Sequence, residues 1–269
     1  MLAIKNNIMA ATAARHLGTS YDALAKSVER LSSGQRINSS KDDAAGLAVR
    51  ELMRADMRVL QQGSRNAQDA ISMLQTMEGA LGVVDDALIR MKELAEQAAT
   101  GSYSDAQRNI MNAEFQQMAA EIDRIAGTTD FNGIKMLNSA SGSISIHFGV
   151  GSSLSVATTD ITSSGLGISA LSISNTDSAA AALGTLTSAI ITKDSARASF
   201  GYKMNRLESS SEVLGLQAEN LATAESRVSD VDVATEMATM TRNQVLAQAG
   251  VSMLAQANGM PQMALSLLR

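Results

Sequence analysis

The chain has no cysteine, no tryptophan, one proline (Pro261) and only 3% aromatic residues. Lack of cysteine excludes disulfides and thiol nucleophiles, and leaves the redox compartment open. With so few aromatics, a core must be built from Leu, Ile, Val, Met and Ala, and with one proline in 269 residues almost nothing interrupts long helices. The 16 methionines read as flexible core filler. Histidine is nearly missing too. His16 and His147 lie in unrelated segments and offer neither a catalytic triad nor a His-based metal site. The run GVGSS at 149–153 lacks the third glycine and following helix of a dinucleotide loop, and reads as a hairpin turn. The acid pairs Asp42/Asp43 and Asp85/Asp86 read as helix capping and a solvated face. The expectation is a protein that is not an enzyme and needs no cofactor or metal.

Positive charge is not clustered either. At a net charge of −5, with no basic stripe, nucleic acid is excluded as a partner. No run of 18 apolar residues exists, and MLAIKNNIMAATAARHLG lacks the apolar region of a signal peptide, so membrane insertion is not expected and any export uses another route. The longest absence is local: residues 243–268 contain no Asp, Glu, Lys, Arg or His. Read as a helix, they carry one stripe of Leu246, Ala249, Met253, Ala257, Met260, Ala264 and Leu267, and another of Val251, Leu254, Leu265 and Leu268. A helix without a solvated face has to be covered all round. Its Gln and Asn residues suit protein neighbours, not lipid, so the segment points to self-assembly.

What is present is helical periodicity. Leu17, Tyr21, Leu24, Val28 and Leu31 follow a 4-3-4-3 seam, and Gly34 ends a first helix over roughly 5–32. Ser40 with Asp43 resembles a capping box and opens a helix near 42–100, roughly 85 to 90 Å long at 1.5 Å per residue. Its seam runs from Met57 and Leu60 through Leu74, Leu81 and Leu88 to Ala98. A third helix carries Met111, Phe115, Met118, Ile122 and Ile125. The period then changes to two: Ile144, Ile146, Phe148 and Val150 alternate with small or polar residues. Pairs at Leu154/Val156, Leu166/Ile168 and Leu171/Ile173 extend short strands over about 130–175. From Asp177, taken as a cap, another long helix carries Leu183, Leu186, Ile190, Phe200, Leu207, Leu214 and Val228. The fold class is therefore mainly α: a long antiparallel helical rod with coiled-coil terminal helices and a small β-hairpin region.

The segments LSSGQRINSSKDDAAGLAV (31–49), SRNAQDAISMLQTMEGAL (64–81), EIDRIAGTTDFNGIKML (121–137) and QAGVSMLAQANGMPQMALSLLR (248–269) closely resemble bacterial flagellin. The start MLAIKNN keeps Ile4, Asn6 and Asn7 in the flagellin manner. The resemblance implies a short form without large outer domains. Inner coiled-coil parts would lie at 1–40 and 229–269, and a shell at 41–175 and 176–228. It implies a secreted subunit of the extracellular flagellar filament, exported through the flagellar type III apparatus for swimming motility. The expected partners are other copies of the chain, an export chaperone at the C-terminal helix, and cap and hook-junction proteins. Subunit packing falls to Leu17, Leu24, Leu31, Val245, Leu246, Met253, Leu254, Met260, Leu265, Leu267 and Leu268. A surface for the flagellin-sensing Toll-like receptor falls on Leu88, Arg90, Glu93, Leu94, Gln97 and Glu114, with Leu94 as apolar contact between Arg90 and Gln97. A hook-filament junction protein is the alternative within the same resemblance.

Overall fold

The computed structural model describes residues 6–139, 141–149 and 151–266, with side chains through Met260. The elements run α1 (Ile8–Ser33), α2 (Ala44–Ala99), α3 (Asp105–Thr128), β1 (Ser143–His147), β2 (Ser153–Ala157), α4 (Thr176–Ser229) and α5 (Val233–Ser266). The expected class, mainly α with a small hairpin, is found. Two compact units divide the chain, one from residues 1–57 and 219–269, the other from 58–218. Both limits fall inside α2 and α4 and not at the loop near residue 40, because the first turns of α2 belong with the α1 loop that Arg50 ties down.

In the unit of residues 58–218 large apolar side chains face inward. Leu74, Met77, Leu81, Leu88 and Met91 of α2, Phe115 and Ile122 of α3, and Leu186, Phe200 and Leu207 of α4 are all buried, as the seams predict. Polar pairs set the direction of packing. Asp85 with Lys193, Glu78 with Arg197 and Ser64 with Ser211 align α2 and α4 antiparallel. Arg90 with Glu114 does the same for α2 and α3. Asp85 is thus no part of a solvated face: it meets the buried Lys193 ammonium at 2.5 Å, with Asp194 at 2.6 Å. Burial pulls the Lys193 pKa down, but the hydrogen bonds to Asp194 and Asp85 outweigh it, and the net shift is upward.

Helix ends explain several sequence signals. Asp43, not Ser40, caps α2, its carboxylate accepting from Gly46 N at 2.9 Å. Asp42 binds the turn before it, accepting from Asn38 N and Ser39 N and pairing with Lys26 at 2.7 Å. The Lys26 hydrogen bond, helped by those backbone donors and opposed by burial, holds Asp42 well below the usual carboxylate range. Its contribution is present above that range and is lost as pH falls. Asn175 caps α4 by accepting from Ser178 N, which leaves Asp177 in the first turn. Ser104 and Gln107 form a full capping box on α3. The buried Arg108 guanidinium donates to the Ala98 and Thr100 carbonyls at the end of α2.

The FNG motif is a tight turn: Asn132 and Gly133 have φ of 51° and 78°, and Phe131 and Ile134 bridge across them. Of the expected strands, β1 and β2 form, paired antiparallel from Ser143↔Ala157 to His147↔Ser153. Leu166, Ile168 and Ile173 are buried without forming strands: Leu166 N and Ile168 N donate to the Thr162 and Ser163 carbonyls in local turns, and side chains of α3 hold the amides at either end of the segment. Asp123 accepts from Ser163 N and Asn112 from Ile173 N. The hairpin seats on α2 at Gly63, where a Cβ would come 2.8 Å from the Phe148 carbonyl carbon, and Asn66 donates to the His147 carbonyl at 2.8 Å.

The other unit follows the opposite rule. Its helices α1 and α5 run antiparallel, pinned by Asn7 Nδ2 donating to the Ala257 carbonyl (2.7 Å) at one end and Arg30 against Glu236 (3.5 Å) at the other. Between them the inward positions are Leu17, Ser20, Leu24, Ser27 and Leu31 on α1, and Asn243, Ala247, Gly250, Leu254 and Ala257 on α5. Both sets keep 3- and 4-residue spacing, but Ser alternates with Leu on α1, and Ala or Gly fills three of the five places on α5. Small residues let the axes draw in, and a Cβ on Gly250 would sit 3.2 Å from Leu17 Cδ1. Ser27 is 2% exposed, while Tyr21 and Val28 are 51% and 50% exposed. The expected α1 seam is therefore correct at Leu17, Leu24 and Leu31 but not at Tyr21 and Val28, which face outward.

Ser27→Leu should therefore force α1 and α5 apart, at about 1–3 kcal/mol of overpacking, whereas Val28→Ser should change monomer stability by less than about 0.5 kcal/mol. Thermal unfolding of the two variants, compared with the parent chain, checks the assignment; equal losses would place both residues in the seam.

Candidate assembly surface

The α1–α5 hairpin is closed on one side of each helix and open on the other. Asn7 begins it, its side-chain oxygen capping Ala10 N at 3.0 Å while its amide reaches α5. Gly34, at φ 71°, ends α1 in the left-handed conformation. The following strand-like crossing is backbone-paired: Arg36 N donates to the Ser229 carbonyl and Val231 N to the Gly34 carbonyl. The buried Arg50 donates to the Ile37 carbonyl and to Gln35. These bonds hold the two helices in fixed register.

Held that way, the hairpin turns its large side chains out. Ile8, Met9, Tyr21 and Val28 of α1, and Val245, Leu246, Val251 and Met253 of α5, are all exposed, Met253 at 61%. No charged side chain of α5 lies among them after Arg242. Large apolar side chains left exposed in this number on a helix pair mark a site of association. Of the expected packing residues, Val245, Leu246 and Met253 lie on this outer surface, and Leu17, Leu24, Leu31 and Leu254 lie half-buried along the α1–α5 seam. Met260 is half-buried. The Leu265 side chain and Leu267 and Leu268 lie outside the described residues. The two stripes expected on α5 are thus divided differently, with the inward set running between them through Ala247, Gly250 and Leu254. Reading by size and hydrophobicity missed it; the 4-3-4-3 spacing of Asn243, Ala247, Gly250, Leu254 and Ala257 was the available signal.

The proposed receptor positions lie in the other unit and do not form one surface. Leu88 and Leu94 are 0% and 2% exposed and serve the core between α2 and its neighbours. Arg90 is exposed and donates to Glu114 at 2.9 Å and Glu93 at 3.1 Å, hydrogen bonds that hold its guanidinium more firmly charged. Gln97 donates to Tyr103 Oη at 2.9 Å. The apolar residue exposed beside Arg90 is Ile89, which with Lys92, Glu96, Gln97 and Ile190 lines a shallow groove. Among the described residues no group of three His, Asp or Glu side chains is placed to hold a metal ion, and no described helix is long and apolar enough to cross a membrane.

Comparison with known proteins adds identity to this geometry. The bacterial flagellin N-terminal helical region matches residues 4–141, and the bacterial flagellin C-terminal helical region matches residues 183–268. The chain is 40% identical to a flagellin of Halalkalibacterium halodurans over 270 residues, covering 99% of each. It is 41% identical to the flagellar filament 33 kDa core protein of Treponema phagedenis over 286 residues, again covering 99% of each. The crystal structure of Bacillus cereus flagellin, 33% identical, aligns with a TM-score of 0.51 over 60% of this chain and 94% of that one. A putative flagellar hook-associated protein from Vibrio parahaemolyticus aligns with a TM-score of 0.59 over 70% of this chain and all of that one, at 13% identity, a likeness of fold alone. The chain belongs to the bacterial flagellin family.

Proposed function

We infer that this chain is a structural subunit that polymerises with its own copies into the flagellar filament and so serves swimming motility. One observation carries the reading beyond family membership: the α1–α5 seam mixes a few Leu with Ser, Ala and Gly and leaves Ile8, Met9, Val245, Leu246 and Met253 exposed. Each such side chain, once covered, contributes up to about 1.5–3 kcal/mol. Association costs about 4–15 kcal/mol, so several must be covered together, which favours packing against more than one neighbour. The hook-associated likeness supports the shared fold only, while relatives near 40% identity over almost the whole chain are named flagellins and filament core proteins, and this favours the filament over a junction ring.

The flagellin resemblance supports the rest of the proposal. The subunit is secreted through the flagellar type III apparatus, its C-terminal helix is held by an export chaperone, and cap and hook-junction proteins meet it at the filament ends. An inner coiled-coil part is formed by the terminal helices, with a shell outside it. For the innate immune receptor, the surface groups available are Arg90, Glu93, Gln97 and Glu114; a reporter-cell response unchanged by Arg90→Ala would remove that residue from the contact.

The assembly reading makes a sharper demand on α5. Met253→Asp places a charge on the outer surface, where water tolerates it in the monomer but a neighbouring subunit does not. Monomer unfolding should stay within about 0.5 kcal/mol of the parent, while salt-induced polymerisation, followed by sedimentation and electron microscopy, should yield no filaments. Wild-type filament yield from Met253→Asp would mean that this face remains in water.

A further inference from the structure

The unit of residues 58–218 leaves two surfaces uncovered by its own helices, and their charges run in opposite order. The first is the shallow groove between α2 and α4. Ile89 and Ile190 give it apolar walls, and Lys92 and Glu96 follow Ile89 along α2. The second is a stripe on α4: Tyr202, Arg206, Ser209, Val213 and Leu216 recur at spacings of 4, 3, 4 and 3, and all are exposed. Glu212, four residues from Leu216, is exposed on the edge of that stripe. None of the ion pairs among the described residues uses Lys92, Glu96, Arg206 or Glu212.

We propose that the groove receives the α4 stripe of a second copy of the chain. The order of the side chains commits to that occupant. Along α2, Ile89, Lys92 and Glu96 are apolar, positive and negative; backwards along α4, Leu216, Glu212 and Arg206 are apolar, negative and positive. Because Asp85 lies opposite Lys193 and Ser64 opposite Ser211, α2 and α4 are antiparallel, and two copies pointing the same way bring the two series together in one order. Leu216 then meets Ile89, Glu212 meets Lys92 and Arg206 meets Glu96. The series span about 10 Å and about 15 Å of helix, a difference that the long Arg206 and Glu96 side chains cover. Groove and stripe are different surfaces, with Leu216 about 39 Å along α4 from Ile190. The contact is therefore heterologous: each copy keeps a free groove or a free stripe for the next, and the assembly stays open. The inference rests on the filament reading above and assigns the polymer one of its contacts, an amphipathic helix face laid into a groove.

Charge exchange tests it, because Arg206 and Glu96 cannot meet within one chain. Glu96 faces the start of α4, roughly 36 Å along the helix from Arg206. Arg206→Glu and Glu96→Arg should each raise the critical concentration for polymerisation of the full chain about tenfold, read by sedimentation, since each sets like charges against one another. Both together should return it to within about twofold of the parent, as coupled sites do. Single variants that assemble like the parent, or a double variant no better than the worse single one, overturn the proposal. The absence of cysteine allows a second readout. With Ile89→Cys and Leu216→Cys in one chain, mild oxidation of the filaments should give a ladder of covalent oligomers on a non-reducing gel, and either cysteine alone should give no ladder. Filaments whose two cysteines stay open to maleimide and form no ladder overturn the proposal and leave the groove to a different protein. Should the charge variants not fold, the cysteine pair decides alone. Absence of filaments from the parent chain would instead sink the filament reading, whereas parent filaments with neither charge rescue nor ladder sink only this contact.

Discussion

The structure depends on how closely α1 and α5 approach. Two helices meet at a distance set by the side chains between them, and here five of the ten inward places hold Ser20, Ser27, Ala247, Gly250 and Ala257. Beside Leu17, Leu24, Leu31 and Leu254 the seam has no room for the other large residues, and Tyr21, Val28, Val245, Leu246 and Met253 stay exposed. In residues 58–218 the arrangement is reversed, and Leu, Met and Phe fill the space between α2, α3 and α4. One chain thus combines a region with a core of large apolar side chains and a helix pair whose seam is narrow and leaves Ile8, Met9, Leu246 and Met253 exposed, and exposed apolar surface of that kind is what a polymer requires of its subunit.

Polar groups maintain that division. Asn7 both caps α1 and binds the Ala257 carbonyl, so the register of α1 against α5 is set where α1 begins. At the opposite end Arg36 and Val231 pair with backbone groups across the Gly34 turn, and Arg50 is buried against Ile37 and Gln35. A rotation of either helix by one residue would exchange the small inward residues for Tyr21, Val28 or Leu246, and these bonds prevent it. Lys193 plays a comparable part in the other unit, because a buried ammonium between Asp85 and Asp194 tolerates only one alignment of α4 on α2.

Much of this could be read from the residues. The α2, α3 and α4 seams consist of large apolar side chains at regular spacing, and size and period point to the same face, so Leu81, Leu88, Phe115 and Leu207 are buried as expected. The hairpin alternation at Ile146, Leu154 and Val156 held for the same reason. In α1 and α5, period and size point to different faces. Tyr21 and Val28 carry the apolar signal, but Ser20 and Ser27 fit the closer approach, and only tertiary distance decides between them. Leu166 and Ile173 misled differently, since buried apolar residues look like strands, whereas the Leu166 amide closes a local turn on the Thr162 carbonyl and the Ile173 amide is taken by Asn112 of α3. Receptor positions carried over from a family pattern ignored depth in the same way, and Leu88 and Leu94 proved to be core.

Methionine oxidation tests the central claim most directly, because the chain carries this residue on both kinds of face. Met9, Met237 and Met253 are exposed, whereas Met77 and Met91 are buried among α2 and its neighbours. Brief peroxide treatment followed by peptide mass spectrometry should oxidise Met9 and Met253 readily in the monomer and protect both at least tenfold in the polymer, a factor equivalent to about 1.4 kcal/mol of reduced opening, with Met77 and Met91 protected in both. Equal oxidation of Met253 in monomer and polymer would contradict the account, since the outward apolar face of α5 would then have no subunit covering it.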